Sequence, residues 1–395
     1  MTLELFRDKD VFIFGCGIAG QWLASNGDFK VRGFIDNNLK KNGKVFQSYK
    51  VFSPEQVRKM IEPTDIILNT VLDIQDVIPV IDANFPNNKS IAVGEFFNEE
   101  KVQINRTEAS DDFIEYSLKA VEMCHKSYVS KDRRFLHSID IVISEKCSLN
   151  CKDCSNLMQF YKRPKNLTYE TVIGDFQKLM NKIRHVYEVR LIGGEPFMNK
   201  EVYPIIDYFI KNSAISKLVV YSNATIPLKP ELMKNFATPK LVFSITDYGS
   251  LSRNTKKVTD TLDDLNISYR ALPPNNWTDS GRMQDFERSE QNMKDTFEDC
   301  CGKNLYTMMY GKLYRCPFSA NAERLSGIPK DERNSVKVDA SLDDIEFFTN
   351  EIEYIPACNY CNGRSHGAPE IEPAIQSKVK LEYKVYKDHD ENVEV

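Results

Sequence analysis

Residues 141–154 read IVISEKCSLNCKDC and determine how the chain is interpreted. An apolar run typical of a β-strand ends at residue 143, and Cys147, Cys151 and Cys154 follow it in a loop. Thiolates are soft ligands that suit zinc or an iron–sulfur cluster. A structural zinc site takes four protein ligands, whereas this loop supplies three cysteines. Three thiolates on a four-iron cluster leave one iron free to bind another group, so an iron–sulfur site is one interpretation of the loop and a structural zinc loop is the alternative.

The composition is that of a globular protein with nearly balanced charge. The chain has 395 residues, 42% of them hydrophobic, and a formal charge of −5 from 52 basic and 57 acidic residues. This length predicts two or three domains, and the charge indicates neither a nucleic-acid nor a membrane partner. No apolar run is long enough to cross a bilayer, and the first ten residues lack the apolar stretch of a secretory signal. We therefore expect a cytoplasmic protein, in which clustered cysteines point to metal binding or catalysis.

Short apolar runs alternate with helical stretches over most of the chain, which predicts an α/β fold with parallel sheets. The predicted strands are 10–14, 31–35, 65–69, 90–93, 138–143, 188–192, 217–221, 240–245 and 267–272. Val172, Phe176, Leu179 and Ile183 recur at the spacing of an amphipathic helix. The predicted domains are an N-terminal α/β domain (1–105), a helical connector (106–135), a second α/β domain (136–290), a cysteine-rich domain (291–372) and a charged tail (373–395).

Polar motifs follow the strands after the cysteine loop, and with that loop they resemble the radical SAM superfamily. Gly193-Gly194-Glu195-Pro196 follows strand 188–192, Ser222-Asn223 follows strand 217–221, and Ser244 and Asp247 stand at the end of strand 240–245. The resemblance implies a partial (β/α)6 barrel over 136–290 whose CxxxCxxC cysteines hold a [4Fe-4S] cluster. It also implies that the glycines, Glu195 and the strand-end residues bind S-adenosylmethionine. Asp153 stands where the family usually has an aromatic residue beside the adenine.

The resemblance also implies an activity. Radical SAM enzymes take an electron from a flavodoxin or ferredoxin and cleave S-adenosylmethionine to methionine and a 5′-deoxyadenosyl radical, which abstracts a hydrogen atom from a substrate carbon. The cofactor carries this chemistry, and the protein positions the reactants.

A second group of cysteines lies in the region 291–372 and resembles the twitch domain, a short relative of the SPASM extension. Cys301 is followed by nine residues, Gly311, four residues and Cys316, and a pair, Cys358 and Cys361, closes the region. The resemblance implies an auxiliary [4Fe-4S] cluster that accepts an electron from the substrate radical. Cys300 also fits the spacing and is the alternative to Cys301 as the first ligand. A zinc ribbon built from the same thiols is the alternative to the cluster.

Glycines near the N-terminus predict a site for a nucleotide. Gly15, Gly17 and Gly20 lie between a predicted strand and a helix, and Asp36 ends the next strand. Such glycines allow a phosphate to approach the backbone at a helix N-terminus, and the acid accepts a ribose hydroxyl. This part resembles the small Rossmann-like domains beside polysaccharide-modifying enzymes. A docking domain that binds no ligand is the alternative.

These interpretations combine into one predicted function, an oxidoreductase that oxidises or epimerises a sugar or nucleotide-linked sugar in carbohydrate modification. The alternative is a radical SAM maturase that modifies a peptide.

Overall fold

The computed structural model describes residues 6–97, 111–131, 134–365, 368–379 and 381–387. The chain divides into two compact units, residues 1–133 and 134–395. Each unit contains a sheet with parallel strands and surrounding helices, as the alternating pattern predicts. In the part of the chain that the structure describes, no helix combines the length and apolarity needed to cross a membrane.

The first unit is a six-stranded sheet with helices on both faces. Its elements are β1 (Asp10–Phe14), α1 (Ile18–Asn26), β2 (Lys30–Ile35), β3 (Val45–Phe46), β4 (Tyr49–Phe52), α2 (Pro54–Arg58), β5 (Ile66–Asn69), α3 (Ile74–Asn84), β6 (Lys89–Ala92) and α4 (Asp111–Val129). The four strands predicted here are confirmed as β1, β2, β5 and β6. The hairpin of β3 and β4 was not predicted, because its turn uses Gln47 and Ser48 at positive φ instead of the usual Asn or Gly.

The strand order of the first sheet indicates that a ligand-binding crevice lies beside β1. The order is β3-β4-β2-β1-β5-β6, and all strands except β3 run parallel to their neighbours. The chain therefore builds outward from β1 in both directions. In open α/β sheets such a reversal opens a crevice at the carboxyl ends of the strands, where ligands bind.

Helix α4, which lies in the region 106–135 that was predicted to be a helical connector, contributes to the core of the first unit. Ile114, Leu118 and Val121 are buried in the same apolar cluster as Val11 and Leu23. These side chains recur at helical spacing, so the helix has an apolar face that needs a partner. Residues 106–110 and 132–133 of the predicted connector, like residues 98–105 of the predicted N-terminal domain, lie outside the described residues.

The second unit contains the cysteine loop and an eight-stranded sheet. Its elements are β7 (Phe135–Ser144), α5 (Tyr169–Met180), β8 (His185–Gly193), α6 (Val202–Lys211), β9 (Ile215–Ser222), β10 (Leu241–Thr246), α7 (Thr255–Asp264), β11 (Ser268–Leu272), β12 (Trp277–Thr278), α8 (Glu290–Glu298), β13 (Thr307–Met309), β14 (Lys312–Tyr314), α9 (Pro317–Arg324), β15 (Ser335–Lys337), α10 (Leu342–Glu346) and β16 (Glu370–Ile371). All five strands predicted here are confirmed as β7 to β11.

The sheet order is β11-β10-β9-β8-β7-β13-β14-β15, with β7 to β11 parallel in chain order. The structure thus has five consecutive parallel strands where six β/α units were predicted. The next place beside β7 is taken by β13, which runs parallel to β7 and begins the antiparallel strands β13 to β15. The predicted cysteine-rich domain therefore extends this sheet.

Alternation along β7 positions the site. Ile139, Ile141 and Ile143 point into the main apolar core, which also contains Val172, Phe176 and Leu179 of α5. Parallel strands bring their carboxyl ends to one edge, so Ser144, Gly193, Ser222 and Thr246 stand at the same end of the sheet.

Candidate functional site

The two glycines after β8 allow this strand end to approach the cysteine loop closely. A Cβ atom at Gly193 would lie 2.1 Å from the Ser144 carbonyl oxygen, and one at Gly194 would lie 2.8 Å from Cβ of Cys147. The backbone N–H of Gly194 donates to Ser144 O at 2.8 Å. Any side chain at either position would therefore separate β8 from the loop.

Glu195 is the centre of a buried hydrogen-bond network. Its carboxylate, fully shielded from solvent, accepts hydrogen bonds from the Asn223 backbone N–H at 2.8 Å, the Ser222 hydroxyl at 3.1 Å and the Phe197 backbone N–H at 3.2 Å. Burial raises the pKa of Glu195 to about 7, and the groups that lower it are all neutral donors. A bound ammonium group would supply the opposite charge that this carboxylate needs.

Hydrogen-bond donors surround the three thiols of the loop. The Asn223 side-chain amide lies 3.7 Å from Sγ of Cys147, and the Gln376 amide donates to Sγ of Cys151 at 3.2 Å. Burial raises the pKa of Cys154, and hydrogen bonds from the backbone N–H groups of residues 156–158 offset part of that rise. Donors around sulfur stabilise a thiolate, which is the form that binds metal.

The three thiols lie within electrostatic reach of one another. The pKa of Cys147 is raised to about 12, mainly by burial, and the charges of the neighbouring Cys154 and Cys151 contribute to this rise. Burial and the charges of the same three thiols also raise the pKa of Tyr248, so this phenol lies beside the loop. Tyr248 makes an edge contact with Trp277, with ring centroids 6.2 Å apart. Sequence reasoning missed Tyr248, although its place after β10 is where such residues collect.

Other predicted site residues stand near this network without joining it. Ser244 is buried on β10, and the Asp247 carboxylate accepts the Gly249 backbone N–H at 2.9 Å. Among the described hydrogen bonds, neither side chain contacts Glu195 or the thiols. Asp153, at the position where an aromatic residue was expected, forms an ion pair with Arg282.

The donor set of the loop fits an iron–sulfur cluster. The thiols form a close group, and each has an N–H donor directed at its sulfur or acting on its pKa. Iron–sulfur clusters are held by Cys thiolates and tuned by such hydrogen bonds. In the described part of the chain, no three His, Cys, Asp or Glu side chains are arranged around a position for a single metal ion.

Residues 141–259, from β7 to α7, match the family described as the Radical SAM superfamily. The matched segment contains the cysteine loop, the two glycines after β8 and Glu195. No curated protein matches the chain. The family implies a [4Fe-4S] cluster and S-adenosylmethionine, and Cys147, Cys151 and Cys154 are the thiols that would hold the cluster.

Several solved structures are similar to the chain at low identity. The structure of BtrN in complex with AdoMet and 2-DOIA has 12% identity and a TM-score of 0.38, over 63% of this chain and 98% of that one. The structure of anSMEcpe with bound AdoMet has 13% identity and a TM-score of 0.37, over 57% and 84%. The structure of Streptococcus suis SuiB bound to precursor peptide SuiA has 14% identity and a TM-score of 0.28, over 44% and 40%.

The second set of thiols, outside the matched segment of the radical SAM domain, contains Cys300 in place of Cys301. The charge of Cys300 raises the pKa of Cys316, Cys358 and Cys361 alike, so these four thiols face one another. Cys301 is exposed, and the groups that act on its pKa are burial, Arg364, Cys300 and its own backbone. In this arrangement Cys300, and not Cys301, faces the other three thiols, and the choice of ligand between these two adjacent cysteines stays a prediction.

Backbone N–H groups are the donors in this second set. The N–H of Gly302 donates to Sγ of Cys300 at 3.3 Å, and that of Gly363 donates to Sγ of Cys361 at 3.3 Å. The N–H of Ser319, in the first turn of α9, donates to Sγ of Cys316 at 3.5 Å. Four thiols with backbone donors fit a fully ligated cluster or a structural zinc site.

A buried ion pair that the sequence did not reveal ties this cysteine-rich part to the radical SAM domain. The Glu145 carboxylate, two residues before Cys147, accepts hydrogen bonds from Arg324 Nε at 2.7 Å and from the Tyr310 hydroxyl at 2.9 Å. Arg324 ends α9, and Tyr310 lies in the turn between β13 and β14. No local sequence pattern predicts the contact between Glu145 and Arg324, which lie 179 positions apart in the sequence.

In the first unit, the fold requires glycine at some positions of the predicted nucleotide site and not at others. Gly15 has φ +100°, and a Cβ at Gly20 would lie 2.0 Å from the Gly15 carbonyl oxygen, so both positions require glycine for the fold. A Cβ at Gly17 would have no atom within 4 Å. Gly17 is the N-cap of α1 and has no side-chain cap hydrogen bond. The fold itself therefore does not explain why this residue is glycine.

Asp36 points toward the glycine loop but is already bonded. Its carboxylate accepts the Cys16 backbone N–H at 3.1 Å and pairs with Lys41 Nζ at 2.7 Å. Lys41 Nζ also lies 3.5 Å from Cys16 O, which places a cation beside the loop. Cys16 itself is a buried member of the apolar core.

Proposed function

We propose that this protein is a radical SAM oxidoreductase that oxidises or epimerises a sugar or nucleotide-linked sugar. The observation that carries the catalytic part is the loop of three thiols packed against Glu195. When bound, the cluster and S-adenosylmethionine supply the 5′-deoxyadenosyl radical that abstracts hydrogen from the substrate.

In this proposal each residue of the network has a defined task. Cys147, Cys151 and Cys154 would hold the cluster, and the missing fourth protein ligand would leave one iron for the cofactor. Glu195 binds the cofactor ammonium, because its buried carboxylate has only neutral partners. Ser222 and Asn223 orient that carboxylate through the hydrogen bonds described above. Gly193 and Gly194 permit the close approach, while Ser244 and Asp247 are assigned to the ribose and the carboxylate of the cofactor.

The second set of thiols is proposed to hold an auxiliary [4Fe-4S] cluster through Cys300, Cys316, Cys358 and Cys361. The proposal is supported by the mutual charge effects of these thiols and by the three backbone donors. A cluster with four protein ligands has no open iron, so its role is to accept an electron from the substrate radical. Radical SAM enzymes use an external reductant, for which a flavodoxin or ferredoxin is proposed.

The test of the catalytic part is reductive cleavage of the cofactor. Anaerobically reconstituted protein with a chemical reductant should convert S-adenosylmethionine to 5′-deoxyadenosine and methionine, measured by liquid chromatography. Replacing Cys147, Cys151 and Cys154 with alanine should abolish this product, because no cluster remains to deliver the electron. Undiminished product from the triple variant would overturn the assignment.

The sugar part of the proposal rests on the first unit. Its strand order opens a crevice beside β1, and the loop there combines the open Gly17, the uncapped N-terminus of α1 and the Lys41 cation. Backbone N–H groups and a cation are the groups that bind a diphosphate.

Replacement of Gly17 by valine tests this site without disturbing the fold. Its φ of −94° suits any residue, and its Cβ would meet no protein atom. Titration calorimetry of full-length protein should show weaker binding of a diphosphosugar by Gly17→Val, with unchanged thermal unfolding and iron content. Equal binding by wild type and variant contradicts the phosphate site, and binding of no nucleotide by either leaves a docking unit and favours the peptide alternative.

A further inference from the structure

The segment 374–377 pairs with the cysteine loop and forms a strap across it. Cys151 and Gln376 form an isolated antiparallel bridge. Its backbone hydrogen bonds run from Lys152 N–H to Ile375 O at 2.9 Å and from Ser377 N–H to Asn150 O at 2.7 Å. This segment belongs to the region 373–395 that we predicted to be a charged tail. The description is corrected for 374–377, because paired backbone groups hold it in place.

The Gln376 side chain makes three hydrogen bonds that fix its orientation. Its Nε2 donates to Sγ of Cys151 at 3.2 Å and to the Ala374 carbonyl at 2.8 Å, while its Oε1 accepts the Asn150 N–H at 2.7 Å. The reversed amide would place its oxygen against the Ala374 carbonyl and its NH2 group against the Asn150 N–H, which are two repulsive contacts. The amide therefore presents a donor to the sulfur.

The strap is also held beyond residue 379. The Tyr386 backbone N–H donates to Ser326 O at 2.8 Å, and the Tyr383 ring packs against Phe160 with centroids 5.2 Å apart. Phe160 lies in the short turn that follows the cysteine loop. Two separate attachments thus keep Gln376 next to Cys151.

We propose that Gln376 is a positioning residue that tunes the catalytic cluster through the sulfur of Cys151. This inference rests on the proposed function, because it requires a cluster on Cys151. A donor to a ligand sulfur stabilises the reduced cluster, which carries the more negative charge, and so raises its reduction potential. Gln376 therefore makes the cluster easier for an external donor to reduce.

The test is a redox titration of full-length, reconstituted protein, followed by electron paramagnetic resonance. The signal that changes when S-adenosylmethionine is added reports the catalytic cluster. In Gln376→Met, which is uncharged and lacks the donor, the ratio of reduced to oxidised cluster at a fixed potential should fall about tenfold, a shift of about 59 mV for one electron. Ser377→Ala is the matched control, because its hydroxyl contacts only Val379 O among the described hydrogen bonds, and it should titrate like the wild type.

The outcomes separate this inference from the proposed function. Wild-type protein without a cofactor-sensitive signal contradicts the proposed function itself. A normal signal with the same potential in Gln376→Met overturns the tuning role. If Gln376→Met loses the cluster, Gln376→Glu is titrated in its place. Glutamate keeps the shape of glutamine and the oxygen that accepts the Asn150 N–H. Loss of the cluster iron from both variants also overturns the tuning role and assigns Gln376 to holding the loop.

Discussion

The two sets of thiols differ in the number of ligands and in the source of their hydrogen bonds. The loop of β7 offers three thiols, and side-chain amides from Asn223 and Gln376 approach two of their sulfurs. The second set offers four thiols, and backbone N–H groups approach three of them. A site with three ligands can bind a further group, whereas a site with four is closed.

The difference in donors has a chemical consequence. Backbone donors are fixed by the fold, so substitutions at their positions leave them in place. Side-chain donors can be removed individually, which makes the three-thiol site the one whose potential is set by particular residues. Beside this set lies a buried carboxylate network built on Glu195.

The largest effect is expected on iron and sulfide content when one of two adjacent cysteines of the second set, Cys300 or Cys301, is replaced. Cys300→Ala should lose about four irons and four sulfides per chain, because Cys300 faces the other three thiols. Cys301→Ala is the matched control and should retain them, since Cys301 is exposed. Iron and acid-labile sulfide analysis measures both. The reverse result would restore Cys301 as the ligand.

A smaller effect is expected at the three-thiol site from Glu195→Gln. Loss of the charge should weaken S-adenosylmethionine binding about tenfold or more, since a hydrogen bond to a charged group contributes about 1.5–3 kcal/mol. Equilibrium binding of S-adenosylmethionine by the variant, together with its iron content, tests this prediction. Iron content should stay unchanged, and Glu201→Gln, whose carboxylate instead accepts the Tyr169 backbone N–H, should bind normally. Loss of iron with retained affinity in Glu195→Gln would show that the carboxylate supports the loop and not the cofactor.

Much of the fold could be predicted from local sequence. The strands of both units are short apolar runs, and each forms where its residues indicated, because burial on a sheet requires that local pattern. The β3–β4 hairpin was not predicted, because Gln47 and Ser48 are not typical turn residues. The place of β13 beside β7 was not predicted either, since Thr307 of β13 pairs with Asp140, which lies 167 residues earlier in the chain.

The site was predictable only where its residues lie in one continuous motif. The thiols of the loop and Gly193 to Glu195 are such motifs. The choice between Cys300 and Cys301 depends on side-chain direction, which spacing does not encode. The contacts of Glu145 with Arg324 and of Gln376 with Cys151 join residues 179 and 225 positions apart, and no periodicity connects them.

The central claim, that one set is an open catalytic site and the other a separate closed cluster, is tested most directly by metal analysis of one variant. Protein with Cys147, Cys151 and Cys154 replaced by alanine should retain about four irons and four sulfides, held by the second set. Zinc without iron or sulfide in that variant would contradict the claim.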